Sequence, residues 1–236
     1  MIILVDADSL IWSSCFKKKE FIDDEQYNSI DEIIIKFDES FAKIINEVEE
    51  KYDIDKVITF ACARGNFRKH ISKTYKANRK KVDIPPMLSE LQNYVVDKYS
   101  VIVGYGVETD DMVATYWKQL TDTFGRDEVL IISIDKDYKQ FPALIYNYHF
   151  KSKCYYDLSI ADARYNFYEQ MIVGDTADNV NFCKGYGSAY CKKAFNLCLS
   201  DYSYIRVVFS LFKKIYKGKA RERFIECYKL LKLKTE

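Results

Sequence analysis

Short apolar runs alternate with longer stretches of helical period along the first two thirds of the chain. Met1–Val5 is continuously apolar and stops at Asp6, and Lys56–Ala61 and Val129–Ile134 are further β-branched runs of strand length. Between them, Ile33, Ile34, Phe37, Phe41, Ile44, Ile45 and Val48 recur at helical spacing, as do Met112, Val113, Tyr116, Trp117 and Leu120. Such alternation predicts an α/β fold, a mostly parallel sheet with helices on both faces. Tyr99–Val103 is read as one more strand ahead of Gly104 and Gly106, and Leu144–Tyr156 as an edge hairpin. Pro85 and Pro86 interrupt the helix-like pattern that resumes at Met87, so residues 67–98 read as an insertion carried outside the sheet. From about Ser159 the pattern is purely helical, which places the sheet in residues 1–158 and a helical portion in 159–236.

Composition narrows the class. The chain has 236 residues, 48% of them hydrophobic, enough for one large domain with a core. Seven cysteines form no CxxC pair and only two histidines accompany them, which argues against a zinc site. The odd cysteine count, the lack of a secretory signal before the first strand and the lack of an ~18-residue apolar run lead to an expectation of a cytoplasmic protein without a membrane partner.

The net charge of +1 conceals segregation. Glu20–Asp55 holds thirteen acidic residues against three lysines, Arg64–Lys81 holds eight basic residues and no acid, and Arg206–Lys234 holds ten basic residues against two glutamates. The two basic segments suit a polyanion such as nucleic acid, although a charge run is also what any solvated helix face carries.

Four places join closely spaced carboxylates to an element boundary: Asp6 and Asp8 in ILVDADSL, Glu108, Asp110 and Asp111 in GVETDD, Asp135 and Asp137 in ISIDKD, and Asp175 and Asp178 in VGDTAD. Each alone is also what a helix start favours. Together they are different, because the carboxyl ends of parallel strands share one edge where ligands bind. So many carboxylates in one place repel unless cations compensate them. Hard oxygen donors suit Mg²⁺ or Mn²⁺, and two such ions can drive phosphodiester hydrolysis.

In order along the chain, LVDADSLI, NFRKHISKTYKANR, GVETDDMVAT, SIDKDYKQF and VGDTADN followed by GYG resemble the 5′ nuclease family of flap endonucleases and phage 5′-3′ exonucleases. The resemblance covers roughly the first 200 residues. It implies a PIN-like core, a helical arch or clamp over about 67–98, and a DNA-gripping helix-three-turn-helix over about 175–198. It further implies that Asp6, Glu108, Asp110 and Asp111 serve one metal site and that Asp135, Asp137, Asp175 and Asp178 surround a second ion. Asp8 stands where relatives carry Ser, Thr or Asn, and its role is open. Ala61 stands where many members carry a metal-facing Asp, so Asp8 or a water replaces that ligand, or the site uses fewer.

By the same resemblance Lys76 and Arg79 are the catalytic cations of the arch base. Arg64, Arg68, Lys69, Lys73 and Tyr75 are expected at the nucleic acid, with Tyr75 stacking on a terminal base or, equally, packing inside. Gly185 and Gly187 open a helix whose Lys192 and Lys193 face phosphate, and a K⁺ is allowed at that turn. The expected activity is Mg²⁺-dependent 5′-3′ exonuclease or 5′-flap endonuclease cleavage of DNA, with RNA primers in RNA–DNA hybrids as further substrates, by a monomer in phage-type replication. A PIN-type ribonuclease and a catalytically impaired DNA-binding module are the competing readings.

Overall fold

A computed structural model describes residues 1–16, 29–78 and 84–235. Five strands form one sheet in the order β2-β1-β3-β4-β5, with β1 at Ile2–Asp6, β2 at Lys56–Phe60, β3 at Val129–Ile132, β4 at Leu144–Asn147 and β5 at Cys154–Asp157. β1 pairs in parallel with β2 and β3, and β4 pairs in parallel with β3. β5 returns antiparallel on β4, which is the predicted edge hairpin. Tyr99–Val103 differs from expectation: it contributes only an isolated parallel bridge, Ile102 to Phe60, followed by one from Tyr105 to Arg64.

The continuous apolar runs are explained by burial on both faces. Ile3 and Val5 of β1 and Leu130 and Ile132 of β3 face one way, into a core shared with α1 (Asp8–Ser14), α2 (Ile30–Glu49) and α4 (Leu88–Tyr99). Leu4, Val129 and Ile131 face the other way, against Met112, Val113 and Trp117 of α5 (Thr109–Phe124). Alternate residues thus enter different cores, so Ile2–Val5 of β1 and all of β3 are apolar. α2 starts at a reciprocal capping box between Ser29 and Glu32, the arrangement that satisfies two orphan N–H groups at a helix start.

The expected insertion over 67–98 is not wholly outside this core. The short α3 (Arg68–Ile71) lies beyond the sheet, but Leu91 and Val95 of α4 are fully buried beside the sheet. Apolar positions four apart on one face pull α4 back onto α1 and α2.

The helical portion has its own core. α6 (Ile160–Val173), α7 (Ser188–Ala194), α8 (Asp201–Tyr216) and α9 (Ala220–Leu231) enclose Phe167, Met171, Cys191, Val208, Phe212 and Cys227. Tyr75 joins this cluster and Leu233 joins the sheet-facing one, so chain exchanged in both directions ties the two portions together.

Candidate active site

The strand order places β1 between β2 and β3, and chain connections leave in opposite directions on its two sides. A crevice at the carboxyl ends follows at such a switch point. Asp6 ends β1, and Asp135 follows β3 and starts a 3₁₀ turn over Lys136–Gln140. Glu108, Asp110 and Asp111 begin α5 on the same edge. Ligand oxygens of Asp110, Asp135 and Asp137 lie within 4.8 Å of one another, and so do those of Glu108, Asp110 and Asp111. Asp110 is common to both sets.

The electrostatics divide these groups. Burial pushes Asp6 up to about 7, with help from the neighbouring Asp8 and Asp135 carboxylates and against a 2.8 Å hydrogen bond from the Tyr138 hydroxyl. Asp137 also rises to about 7, through burial and then Asp135 and Asp175, although Gln170 donates to it at 2.7 Å. Asp110 is pushed well above the carboxylate range by burial and by Asp111 and Glu108. Asp135 keeps a solvent-open carboxylate at the cleft mouth, yet protein crowding and Asp178 and Asp175 raise it as well. All four carboxyls therefore hold their protons more tightly than ordinary carboxylates unless a cation replaces them. The donor set is all oxygen and fits a hard divalent ion.

Asp175 behaves oppositely. Its burial would raise it, but Lys136 at 2.9 Å and the N–H groups of Ala177 and Asp178 hold it below the usual range. Gly174 precedes it at φ +82°, where a side chain would be strained and its Cβ would run into the Val180 carbonyl. Asp178 accepts the Tyr75 hydroxyl at 2.6 Å and lies 3.6 Å from the Lys76 ammonium.

Lys76 pairs with Glu108 as well, and its backbone is left-handed at φ +56° with its N–H donating to the Asp178 carbonyl at 2.9 Å. A non-glycine residue in that region costs on the order of 1 kcal/mol, and two contacts to the acidic edge hold it there. Arg79 lies outside the described residues. Ala61 is fully buried after β2, so position 61 itself supplies no carboxylate. Asp8 stands beside that strand end: its oxygens accept the Cys62 N–H at 2.8 Å and the Thr109 hydroxyl at 2.6 Å, a brace between the loop after β2 and the start of α5.

Two residues expected at nucleic acid lie elsewhere. Arg68 is 1% exposed, and its guanidinium is bound by Asp111 and Glu108. Tyr75 is 4% exposed and donates to Glu108 and Asp178, so its ring packs inside and does not stack on a base. Arg64, Lys69 and Lys73 are exposed, as are Gly185, Gly187, Lys192 and Lys193. Gly185 turns the chain at φ +90° and Gly187 caps α7. A cavity of about 280 Å³ joins this turn to the acidic edge, lined by Lys136, Asp137, Gln140, Gln170, Gly174 and Ser188.

With this geometry in place, the likeness to known proteins has a structural meaning. Residues 1–165 match the family model described as 5′-3′ exonuclease, N-terminal resolvase-like domain. The chain belongs to this 5′-3′ exonuclease family. A 5′-3′ exonuclease of Buchnera aphidicola subsp. Acyrthosiphon pisum (strain APS) is 28% identical over 153 residues, 58% of this chain and 52% of that protein. One from Buchnera aphidicola subsp. Schizaphis graminum (strain Sg) is 29% identical over 143 residues, 58% of this chain and 46% of that protein. The chain thus spans about half the length of the curated relatives it matches. Among solved structures, a bacteriophage T5 flap endonuclease in a complex with DNA and metal ions superposes with a TM-score of 0.59 at 16% identity, over 98% of each chain. The catalytic core of Rad2 in complex with DNA substrate gives 0.50 at 14%, over 97% of this chain and 71% of that one. These two likenesses concern the fold, which is the PIN-like arrangement expected of the family.

Sequence reasoning missed the neutral and cationic partners of the family's acidic edge. Tyr138, Gln170 and Lys136 hold Asp6, Asp137 and Asp175, respectively. Tyr138 and Lys136 sit inside SIDKDYKQF, but an aromatic or lysine in a turn carries no signal of its own. Gln170, like Asn166 one turn before it, faces the 3₁₀ turn from α6, and its role is visible only once α6 is placed over that turn.

Proposed function

We propose that this chain is a metal-dependent 5′ nuclease that hydrolyses phosphodiester bonds of DNA at or near a 5′ end. One observation carries the reading: Asp6, Glu108, Asp110, Asp135 and Asp137 come from three segments to one sheet edge, where burial and mutual repulsion lift Asp6 and Asp137 to about 7. A structural role would neutralise Asp6, Asp110 and Asp137 with protein cations, as Glu108 and Asp111 are met by Arg68 and Lys76. A nucleic-acid-binding module would gain nothing from carboxylates that repel phosphate.

Asp6, Glu108 and Asp110 would hold one Mg²⁺ or Mn²⁺, and Asp135, Asp137 and Asp178 a second, with Asp175 orienting the group through Lys136 and Gln170. When bound, such ions supply a water of lowered pKa and neutralise the leaving oxygen. Lys76, anchored on Glu108 and Asp178, presents a fixed positive charge beside the place where charge develops on the phosphate. Arg79 is proposed for the same role. Tyr75 fixes Glu108 and Asp178 relative to each other. Arg64, Lys69, Lys73, Lys192 and Lys193 would hold the phosphate backbone, and their contribution should weaken with salt. The turn through Gly185 and Gly187 would grip duplex as a helix-three-turn-helix over about 175–198, with a K⁺ on its carbonyls.

Duplex 5′ ends, 5′ flaps and primers in RNA–DNA hybrids are the proposed substrates, in phage-type replication, for a monomer acting in the cytoplasm. Ala61 favours a second reading, an impaired enzyme that still binds DNA. Cleavage of 5′-labelled blunt duplex, 5′-flap and hybrid substrates, with and without Mg²⁺, tests both. Metal-dependent release of short 5′ products is expected, whereas binding without cleavage under any divalent ion would establish the second reading. RNA cleaved in preference to DNA would point to a PIN-type ribonuclease.

A further inference from the structure

Arg68 uses all five of its N–H donors inside the protein. Nε donates to the Leu230 carbonyl at 3.0 Å, Nη1 to Glu108 at 2.9 Å and to Asp111 at 2.6 Å, and Nη2 to Asp111 at 2.8 Å and to the Lys232 carbonyl at 3.0 Å. Asp111, 1% exposed, is equally full. Besides the two-pronged Arg68 contact, its Oδ1 accepts the Lys234 N–H at 2.9 Å and its Oδ2 the Glu108 N–H at 3.3 Å. Each oxygen thus accepts twice, and a carboxylate offers about four such positions. An ion could take Asp111 only by opening this pair and leaving a buried guanidinium without its counter-charge.

The same stretch of chain also reaches the other acidic group. Leu233 donates its N–H to the Gln140 side-chain oxygen at 3.0 Å, and the Gln140 amide donates to the Leu231 carbonyl at 3.2 Å. Gln140 ends the 3₁₀ turn that carries Asp137, and Leu233 is buried under the sheet.

We propose that Arg68 and Asp111 are positioning residues, not a phosphate contact and an ion ligand, and that Leu230–Lys234 is a strap built into the catalytic centre. Alternate residues of the strap, Leu230, Lys232 and Lys234, are fixed to the Arg68–Asp111 pair, next in sequence to Asp110 and three residues from Glu108. The residues between them, Leu231 and Leu233, are fixed to Gln140 on the turn bearing Asp137. The strap therefore sets the separation of the two carboxylate groups through contacts whose side chains, Arg68, Asp111, Gln140 and Leu233, are buried. The catalytic consequence rests on the nuclease reading, while the strap itself does not.

Three variants of this chain test the strap, Asp111→Asn, Gln140→Leu and Lys234→Pro, the last removing the N–H to Asp111 together with the lysine side chain over Phe67, and a fourth, Arg68→Lys, tests the pair. Mn²⁺ stoichiometry, hydrogen exchange in residues 230–235, and kcat and KM are measured on each. Asp111→Asn is expected to keep the wild-type number of Mn²⁺ ions while losing exchange protection in the strap. Gln140→Leu should lower kcat about 10-fold or more with KM little changed, and Lys234→Pro should lower it less. Arg68→Lys should not substitute for arginine, because an ammonium lacks the two-pronged geometry. Loss of one Mn²⁺ from Asp111→Asn with the strap still protected would overturn the proposal. If Asp111→Asn does not fold, unchanged exchange and kcat in both other variants would overturn it equally. A wild-type protein without nuclease activity would refute the nuclease reading, yet ion count and exchange would still decide the strap.

Discussion

Glu108 and Asp111 are met by Arg68, Lys76 and Tyr75, whereas Asp6, Asp110 and Asp137, on the same sheet edge, face mostly other carboxylates. The residue type is the same in both regions and burial is similar. What differs is where the compensating charge comes from. In the first region the protein supplies it, and the carboxylates act as fixed anchors for α3, α5 and the Leu230–Lys234 segment. In the second the protein withholds it, and the carboxyls need either protons or an ion from outside. A functional site is thus distinguished from a structural salt bridge by the deficit of counter-charge, not by the number of acids.

The sharpest way to break this contrast is to remove the second region's charge. Asp110→Asn combined with Asp135→Asn should abolish Mg²⁺-dependent cleavage in a labelled-substrate assay while DNA binding survives or tightens. Undiminished turnover would sink the two-ion assignment. Lys76→Ala acts at the border of the two regions. It should lower kcat by about 10²–10³-fold with a modest change in DNA affinity, as steady-state kinetics would read. A change in affinity alone would make Lys76 a positioning group.

Neutral partners should matter less. Tyr138→Phe removes the donor to Asp6 and should weaken Mg²⁺ affinity about 10-fold, measured by titrating activity against metal. An unaltered metal requirement would mean that Asp6 is held by packing alone.

The smallest expected effect is on stability against pH without divalent ions. Asp6 and Asp137 have folded values near 7, above the ordinary 3.8, so between those limits the folded state binds more protons than the unfolded one. Their stabilisation is complete below about 3.8 and is lost as pH rises through about 7. Asp175 is depressed and works the other way, but its stabilisation is lost only as pH falls below the ordinary 3.8. The thermal midpoint in chelator should therefore decline from pH 4 to pH 7, and saturating Mn²⁺ should flatten that decline. A midpoint rising over this interval would show that the second region is neutralised from within.

The strands and the long helices were legible because their signals are local. A run buried on both faces is apolar along its length, as Ile2–Val5 of β1 and all of β3 are, and α2 repeats its apolar residues with the helical period. Tyr99–Val103 has strand-like composition but lies beyond β2 with bridges only, because edge pairing depends on what its neighbour offers. α4 looked like part of an insertion, since two prolines precede it, and only Leu91 and Val95 in place reveal its packing.

The meeting of acidic residues at one edge was legible along the chain, because parallel strands joined by helices bring their carboxyl ends to the same side whatever lies between. The chain also carried the family's motifs in order. Which of those acids are spoken for emerges only in the folded molecule. Arg68 is 43 residues from Asp111 and 162 from Leu230, and Tyr75 is 103 from Asp178. No local period records such pairings, since a charge does not reveal its partner until folding sets the distance and the dielectric around both.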